Sequence, residues 1–515
     1  MCQGLISGRS GALRRDLYYF FAPRGDAPTT ELNMPRRTKI VATLGPATDD
    51  PKVMDKLIHA GVDVVRLNLS HDPHDQQRER AERIRDRSRA SGRQVGVLCD
   101  LQGPKIRIGR FKSDFVMLEE DGAFILDAEC PLTDGDDERV GLTYPDLIND
   151  VARGDTLLLD DGAIVLWIAE VEGKQVHCKV VVGGKLSNNK GINKQGGGLS
   201  APALTEKDKQ DIKFAAEIDA DYLAVSFVRC ADDVREARRL LEEAGGDGGI
   251  VAKIERAEAL DVIEEIIEAS DAIMVARGDL GVEIGDAELP AVQKELIRTA
   301  RRMNSVVITA TQMMQSMIES PIPTRAEVFD VANAVLDGTD AVMLSAETSV
   351  GKYPHKVVEA MDRVCIEAEK QASVKRSKHR IDSVFGRVDE AIAMASMYTA
   401  NHLGVKAIAA LTESGSTPQW MSRISSGIPI YALTRNVKTR RKVTLFRGVY
   451  PVSFDVASTD YNQVNEEVID ELLRRGEVRD NDLVLITKGD RSGVEGQTNI
   501  MKIMRVGEHM RYRGD

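Results

Sequence analysis

Eight short apolar segments recur between Thr38 and Leu344, and their regular spacing limits the folds open to the chain. Most are separated by roughly 20 to 35 residues, the length of one strand and one helix. Polar residues follow each segment, as they do where parallel strands end at one face. The pattern predicts a (β/α)8 TIM barrel. The segments are Ile40 to Ala42, Val62 to Leu67, Val95 to Leu98, Tyr222 to Val225, Ile250 to Ala252, Ala272 to Ala276, Val306 to Ile308 and Ala341 to Leu344.

One interval, between the third and fourth segments, is much longer than the others. Residues 105–201 alternate short β-type runs with Gly and Asp turns, which predicts an inserted small β-barrel domain. It ends in the basic segment KLSNNKGINKQGGG, residues 185–198, which we expect to be flexible. Such a domain can act as a lid over the barrel mouth. The barrel would then comprise residues 38–104 and 202–372.

The two ends of the chain differ in sequence pattern from the predicted barrel. We expect residues 1–37 to be a disordered extension, with Met34 as the natural start, because they are rich in Arg, Gly, Pro and Thr. A polar linker, Ser373 to Arg380, begins the C-terminal domain, residues 373–515, where apolar runs then alternate with amphipathic stretches. The pattern predicts an open α/β domain.

Composition excludes some partners. The net charge of -12 and the aromatic content of 4% argue against nucleic acid as a partner. No apolar run reaches the roughly 18 residues of a membrane span. The six cysteines are scattered without a pairing pattern, which is typical of reduced thiols and predicts a cytoplasmic protein.

Charged residues follow the fifth and sixth predicted strands, and three of them are candidates for chemistry. Lys253 and Glu255 lie on one side of a strand, and Asp279 follows the next. A single charge there is more simply a solvated strand end. Two carboxylates beside an ammonium, next to the flexible backbone of Gly278, favour a site for a divalent metal and a phosphate.

Three other polar segments contain candidate residues, and two of these segments allow two interpretations. Arg66 alternates with Asn68 and Ser70 on the second strand, so the three side chains face one way. They could form a phosphate-binding site, or Arg66 could form an ion pair while Asn68 and Ser70 cap polar ends. Thr324 to Glu327 matches a helix capping box. The loop 412–417, TESGST, is either a phosphate nest at a helix start or an ordinary N-cap.

The chain resembles the pyruvate kinase family from Lys39 to Val506. The shared motifs, in family order, are RLNLSH, GPKIRIG, KGIN, KIE, MVARGDLG, ATQM, PTRAE, DVANAVLDGTDAVMLSAET and TNIMKIM. The resemblance implies phosphoryl transfer from phosphoenolpyruvate to ADP, giving pyruvate and ATP, with Mg²⁺ or Mn²⁺. It also implies a homotetramer of the bacterial type, with effector control through the C-terminal domain.

Site roles follow from the resemblance, position by position. It implies that Glu255 and Asp279 bind the metal, while Lys253 and Arg66 neutralise the moving phosphoryl group. The substrate-binding positions are Ala276, Gly278, Asp279 and Thr311, and protonation of the enolate involves Thr311 with Ser345 and Glu347. The nucleotide-binding positions are His71, Arg107 and Lys190.

One departure from the family pattern concerns potassium. Family members that need K⁺ have Glu after the Gly-Pro of the third-strand motif, whereas this chain has Lys105. We expect the Lys105 ammonium to replace the cation, so that K⁺ is not required. The ligand-type positions Asn68, Ser70, Asp100 and Leu101 persist.

A second departure concerns the effector. Members activated by fructose 1,6-bisphosphate have basic residues around the phosphate loop, whereas this chain has Glu413 and Asp490 there. Because carboxylates disfavour a bisphosphate, we expect a sugar monophosphate or AMP. The effector-binding candidates are Thr412, Ser414, Ser416, Thr417, Lys488 and Arg491.

Two other functions remain alternatives at this stage. Barrel lyases that act on pyruvate or oxaloacetate also bind Mg²⁺ through Glu and Asp, but they need neither the inserted lid nor Lys253. A degenerate sugar-phosphate sensor would have lost the reactive positions, and all of them are present.

Overall fold

Alternating strands and helices begin the barrel. The computed structural model describes residues 35–374, 384–456, 461–490 and 496–508. Pro at the first position of α1 and an αL glycine after it define that helix at both ends. The first elements are β1 (Lys39–Thr43), α1 (Pro51–Ala60), β2 (Val64–Asn68), α2 (His74–Ser91) and β3 (Gly96–Asp100).

The insert forms next as a β structure around its own apolar core. Its elements are β4 (Phe115–Leu118), β5 (Ala123–Asp127), β6 (Arg139–Val140), α3 (Leu147–Asp150), β7 (Thr156–Leu159), β8 (Ile164–Glu172), β9 (Gln175–Val182), β10 (Gly184–Ser187) and β11 (Ile192–Lys194). Six strands form a sheet in the order β11-β7-β8-β9-β5-β6, and β10 pairs with β4. The basic segment expected to be flexible therefore contains two strands, β10 and β11, held by antiparallel pairing.

The remaining barrel elements follow without another insertion. They are α4 (Glu206–Glu217), β12 (Tyr222–Val225), α5 (Ala231–Glu243), β13 (Gly249–Ile254), α6 (Ile263–Ala269), β14 (Ala272–Ala276), α7 (Arg277–Ile284), α8 (Leu289–Arg302), β15 (Val306–Ala310), α9 (Arg325–Asp337), β16 (Ala341–Leu344), α10 (Ala346–Ser349) and α11 (Pro354–Ala368). The eight strands close in the order β1-β16-β15-β14-β13-β12-β3-β2, with parallel pairing throughout. The predicted TIM barrel is confirmed.

Two local predictions between barrel strands had different outcomes. The capping box of α9 forms: the Thr324 amide donates to Glu327 Oε2 at 2.7 Å, and the Glu327 amide donates to Thr324 Oγ1 at 3.3 Å. The sequence between the fifth and sixth strands also predicts a single helix over residues 257–269, and this prediction is wrong. A 3₁₀ turn covers Ala257–Leu260, and α6 starts only at Ile263.

The C-terminal domain is an open α/β sheet, as predicted. Its elements are α12 (Val388–Leu403), β17 (Ala407–Leu411), α13 (Ser416–Ser422), β18 (Ile430–Thr434), α14 (Val437–Lys442), β19 (Val449–Ser453), α15 (Tyr461–Arg474), β20 (Leu483–Gly489) and β21 (Thr498–Arg505). The order is β19-β18-β17-β20-β21, with only β21 antiparallel. The sequence did not predict β21 as a strand.

This domain packs against the barrel end where the strands begin. Inward-facing strand residues such as Val64, Leu98 and Met274 share one apolar cluster with Met397 and Leu445 of the C-terminal domain. The other face of the strands packs against the surrounding helices. The carboxyl ends of the strands consequently remain available for a site.

The predicted N-terminal extension, residues 1–37, wrongly included Arg36 and Arg37, which are buried. Arg36 and Arg37 are 8% and 6% exposed, and the amide of Arg37 donates to both carboxylate oxygens of Glu369, at 3.1 and 2.9 Å. The rest of the predicted extension, residues 1–34, lies outside the described residues. Most of the predicted linker, residues 375–380, also lies outside them.

Within the described ranges, no helix combines the length and the apolar character that crossing a membrane demands.

Candidate active site

A network of two cations and two carboxylates lies at the ends of β2, β3 and β13. Arg66 Nε donates to Asp100 Oδ2 at 2.6 Å. Lys253 Nζ lies 3.3 Å from Asp100 Oδ1 and 2.9 Å from Glu255 Oε1. Asp100 therefore bridges the two cations, which the sequence had placed on separate strands.

Burial and charge set the protonation of this network. Burial alone would lower the pKa of Lys253, but Asp100 and Glu255 outweigh it, and the pKa is raised. Burial likewise opposes ionisation of Asp100, yet Lys253 and Arg66 hold its pKa below the usual value. Arg66 and Lys253 thus present two positive charges in a largely dry environment.

Glu255 differs from Asp100 because its pKa is raised. Burial is the main cause, and the nearby charge of Asp279 adds to it, while Lys253 opposes both. Glu255 Oε2 also accepts a 2.7 Å hydrogen bond from the amide of Phe227. A cation placed between the carboxylates of Glu255 and Asp279 would relieve their repulsion.

These two carboxylates suit a hard divalent cation. The described residues contain no group of three or more His, Cys, Asp or Glu side chains that could hold a metal. Mg²⁺ commonly binds through one or two carboxylates, with the remaining positions filled by water and substrate oxygens. The donor set therefore fits Mg²⁺ or Mn²⁺ shared with a substrate.

Thr311 and Gly278 meet where β15 and β14 end. The amide of Gly278, in the first turn of α7, donates to Thr311 Oγ1 at 2.9 Å. Thr311 has φ of 67° and Gln312 has φ of 54°, so two non-glycine residues lie in the left-handed region. Such backbone strain often accompanies functional sites.

Arg277 holds this strained loop, and sequence reasoning did not single it out. Its Nε donates to the carbonyl of Ala310 at 3.1 Å, and its Nη2 donates to the carbonyl of Thr311 at 2.6 Å. Its Nη1 pairs with Asp330 at 2.6 Å. The signal available in the sequence was a guanidinium directly before the Gly-Asp pair.

Ser226 is a second residue that the sequence analysis left unassigned. Lys253 Nζ donates to Ser226 Oγ at 2.6 Å, and that hydroxyl donates to the carbonyl of Leu101 at 2.8 Å. Ser226 thereby fixes the ammonium from a fourth strand end. Its place directly after β12 was the signal that could have identified it.

Ser345 and Glu347 lie at the end of β16. Glu347 is 2% exposed, and its oxygens accept the amides of Ser345 at 2.6 Å and Met314 at 3.2 Å. The carboxylate thus ties β16 to the loop that contains Thr311. Among the described hydrogen bonds, none joins Glu347 or Ser345 to the Thr311 hydroxyl.

The nucleotide candidates belong to the barrel and to the insert. Arg107 Nη1 donates to the carbonyl of Asn189 at 2.8 Å, beside Lys190. Lys190 pairs with Asp160 at 2.7 Å, and His71 is exposed just beyond β2. The insert therefore brings Arg107 and Lys190 together.

The insert returns to the barrel next to the carboxylate site. The amide of Gly196 donates to the carbonyl of Glu283 at 3.0 Å, and Arg256 donates to the carbonyl of Leu199 at 2.7 Å. The carboxylate of Glu283 accepts the amide of Ala257 at 2.8 Å, two residues after Glu255. Hydrogen bonds therefore join the insert to α7 and to the segment that follows Glu255.

Lys105 is exposed at the start of the insert and forms no ion pair in the part of the chain that the structure describes. Of the positions expected to bind a monovalent cation, Asp100 is committed to Arg66 and Lys253, and the Leu101 carbonyl accepts from Ser226. The Asn68 side chain accepts the amide of Ser70 at 3.2 Å.

The loop before α13 is held by hydrogen bonds among its own residues. Ser414 and Ser416 hydroxyls lie 2.9 Å apart, and Thr412 Oγ1 accepts the amide of Gly415, whose φ is 87°. Thr417 differs, because its hydroxyl is buried 2.7 Å from that of Thr498. Lys488 is largely buried on β20, and Arg491 lies outside the described residues.

Comparison with known proteins agrees with this geometry. The family model for the pyruvate kinase barrel domain matches residues 35–358, and that for the pyruvate kinase alpha/beta domain matches residues 390–504. The chain is 56% identical to pyruvate kinase II of Salmonella typhimurium over 476 residues, which is 92% of this chain and 99% of the relative. It is 54% identical to pyruvate kinase of Buchnera aphidicola from Schizaphis graminum over 479 residues, with the same coverage of both chains. The chain belongs to the pyruvate kinase family.

Proposed function

We propose that this chain transfers the phosphoryl group of phosphoenolpyruvate to ADP, forming pyruvate and ATP in the last step of glycolysis. The observation that carries the proposal is the network in which Asp100 holds Arg66 and Lys253 together at the carboxyl ends of the barrel strands. Two buried cations at one point match the charge that spreads over a phosphoryl group in transfer.

Arg66 and Lys253 act by electrostatic stabilisation. Each is held by carboxylates before substrate arrives, so little reorganisation is needed when charge develops. Glu255 and Asp279 would hold Mg²⁺ or Mn²⁺, which supplies further neutralisation of substrate oxygens when bound. Asp100 and Ser226 are positioning residues in this scheme.

The end of β14 and the start of α7 bind the organic part of the substrate. Ala276, Gly278 and Asp279 would orient the carboxylate of phosphoenolpyruvate beside the hydroxyl of Thr311. We assign that hydroxyl to proton transfer to the enolate. Because Glu347 accepts two backbone amides, we assign it to positioning the Thr311 loop and leave Ser345 as the looser candidate for proton transfer.

His71, Arg107 and Lys190 would contact the nucleotide, two of them from the insert. Closure of the insert would bring those cations over the barrel mouth and exclude water from the transfer. Lys105 lies at the start of the insert, and we propose that its ammonium replaces K⁺ when the insert closes.

We further propose a cytoplasmic homotetramer that responds to a sugar monophosphate or AMP. Thr412, Ser414 and Ser416 line the effector loop, and the buried Thr417 supports it through Thr498. The lyase and sensor alternatives are not favoured, because both domain models match and every reactive position is retained.

A coupled assay of pyruvate formation from phosphoenolpyruvate and ADP tests the reaction. Lys253→Met should lower turnover by on the order of 10³-fold or more, because it removes a positive charge that stabilises the transition state. The control is Lys209→Met, at an exposed lysine paired with Glu206. Thermal unfolding must show both variants folded; equal turnover in the folded Lys253 variant and wild type would refute the proposal.

A further inference from the structure

A small cavity lies between the barrel and the C-terminal domain, at the barrel end opposite the strand carboxyl ends. Its walls include Arg301 at the end of α8, Gly338 after α9, Ser425 after α13 and Arg447 before β19. Its volume is about 20 Å³. None of these residues belongs to the active site described above.

Three arginines line the cavity, Arg37, Arg301 and Arg447, and ion pairs at its edge involve Arg37 and the neighbouring Arg423. Arg423 Nη1 lies 2.8 Å from Asp340 Oδ2, and both side chains are at most 2% exposed. Arg37 pairs with Glu369 at 3.4 Å. Asp340 also lines the cavity, where its carboxylate accepts the backbone amide of Arg447 at 3.4 Å in addition to pairing with Arg423.

Arg301 and Arg447 have no comparable partner. Neither forms an ion pair with any residue in the described ranges. Arg301 Nη2 donates to Ser425 Oγ at 3.0 Å, and Arg447 Nη1 donates to the carbonyl of Thr339 at 3.2 Å. The buried Nη2 of Arg447 has no hydrogen-bond partner within the described structure. Unsatisfied buried donors of this kind are costly.

The pKa values of the Arg301 and Arg447 side chains are both lowered, which agrees with an excess of positive charge around the cavity. Burial lowers the pKa of Arg301 to about 10, with further lowering by the charges of Arg447 and Arg423. Burial also lowers the pKa of Arg447, and it outweighs the opposing charges of Glu369 and Asp340. An anion in the cavity would oppose both effects.

Gly338 allows Arg301 to occupy this position. A Cβ atom on Gly338 would collide with Arg301 Nη1, and the φ of Gly338 is 98°, in the left-handed region. The guanidinium is therefore packed against the backbone of the turn before β16 and is held at the cavity wall.

We propose that this cavity is a binding site for a small inorganic anion of halide size, held between Arg301 and Arg447. A cavity of roughly 10–15 Å³ holds one water molecule, so a cavity of about 20 Å³ has room for one or two water-sized particles. Tetrahedral phosphate and sugar phosphates are too large. The bound anion joins the barrel to the C-terminal domain.

Bromide tests the site directly. Crystals of the full chain grown without halide and soaked in sodium bromide should give an anomalous peak between the guanidinium groups of Arg301 and Arg447. Added inorganic phosphate should not displace it. The absence of a peak there, or its loss in phosphate at equal ionic strength, would overturn the proposal.

Thermal unfolding tests the same site in solution. At constant ionic strength, replacing sodium gluconate by sodium chloride should raise the Tm in a saturable way, by roughly 2–4 °C. Arg301→Gln should abolish the rise. Arg298→Gln, at an exposed residue of the same helix, should retain it. An equal rise in both variants would refute the site, and the bromide peak in wild type decides if Arg301→Gln does not fold.

Discussion

The amide of Gly278 donates to the hydroxyl of Thr311 at 2.9 Å, so the substrate-binding end of β14 and the proposed proton donor after β15 form one unit. Arg277 strengthens this unit, since it donates to the carbonyls of Ala310 and Thr311, which precede and follow the Cα atom of Thr311. A change at either residue should therefore alter the other.

Thr311 provides the most direct test of protonation. Thr311→Ala should lower turnover by on the order of 10²-fold, the usual contribution of a positioned proton donor. Thr311→Ser keeps the hydroxyl and removes a methyl group from a left-handed backbone position, so it should retain most activity. Steady-state pyruvate formation measures both variants. Equal losses in the Ala and Ser variants would contradict a role for the hydroxyl.

Arg277 should affect activity by holding the Thr311 loop in position. Arg277→Lys keeps the charge but cannot donate to Ala310, Thr311 and Asp330 together, so the Thr311 loop should shift. We expect kcat to fall by roughly 10- to 100-fold with the KM for ADP unchanged. The matched control is Arg302→Lys, at an exposed arginine paired with Glu264. A change confined to the KM for ADP would argue against this role.

Glu283 should make stability depend on pH. Burial raises its pKa from 4.5 to about 7, and the charges of Glu258 and Asp279 add to this. Between those values the folded chain binds the proton more tightly than the unfolded chain. This group's contribution to the free energy of unfolding is therefore greatest at low pH and declines as the pH rises from about 4.5 to 7.

Glu283→Gln should remove that decline, because an amide oxygen can still accept the Ala257 amide without carrying charge. The measurement is urea unfolding of both proteins at pH 5 and pH 8, without divalent metal. The variant should gain stability relative to wild type at pH 8, by ~1–3 kcal/mol. The same difference at both pH values would show that Glu283 does not titrate in this range.

Potassium independence is tested at Lys105. In Tris or tetramethylammonium buffer, wild type should be as active without KCl as with it. Lys105→Glu should make activity depend on KCl, because it removes the ammonium and restores the Glu that family members needing K⁺ have at this position. A wild-type loss of orders of magnitude without K⁺ would refute the expectation.

The effector class is tested with phosphorylated ligands. Ribose 5-phosphate, glucose 6-phosphate or AMP should activate at subsaturating phosphoenolpyruvate, and Ser414→Ala with Ser416→Ala should weaken that activation. Fructose 1,6-bisphosphate should have little effect, because Glu413 and Asp490 repel its second phosphate. Activation by micromolar bisphosphate alone would contradict this prediction.

Sequence patterns predicted the large elements well because those elements have strong periodicity. All eight barrel strands lie within a few residues of their apolar runs, and the α9 capping box depends only on Thr324 and Glu327. The break at Asp261 and Val262 was missed because no Gly or Pro marks it. Strand β21 was missed because its alternation is weak and it pairs with β20 at the sheet edge.

The sequence by itself determined which charged residues follow which strands, since that depends on local periodicity and chain order. Only the tertiary structure decided their partners. Asp100 bridges Arg66 and Lys253 because barrel closure brings β2, β3 and β13 into register. Arg277 reaches the Thr311 loop from α7, and Arg301 meets Arg447 across the domain boundary. These contacts join residues far apart in the chain, and spacing along a sequence carries no information about such distances.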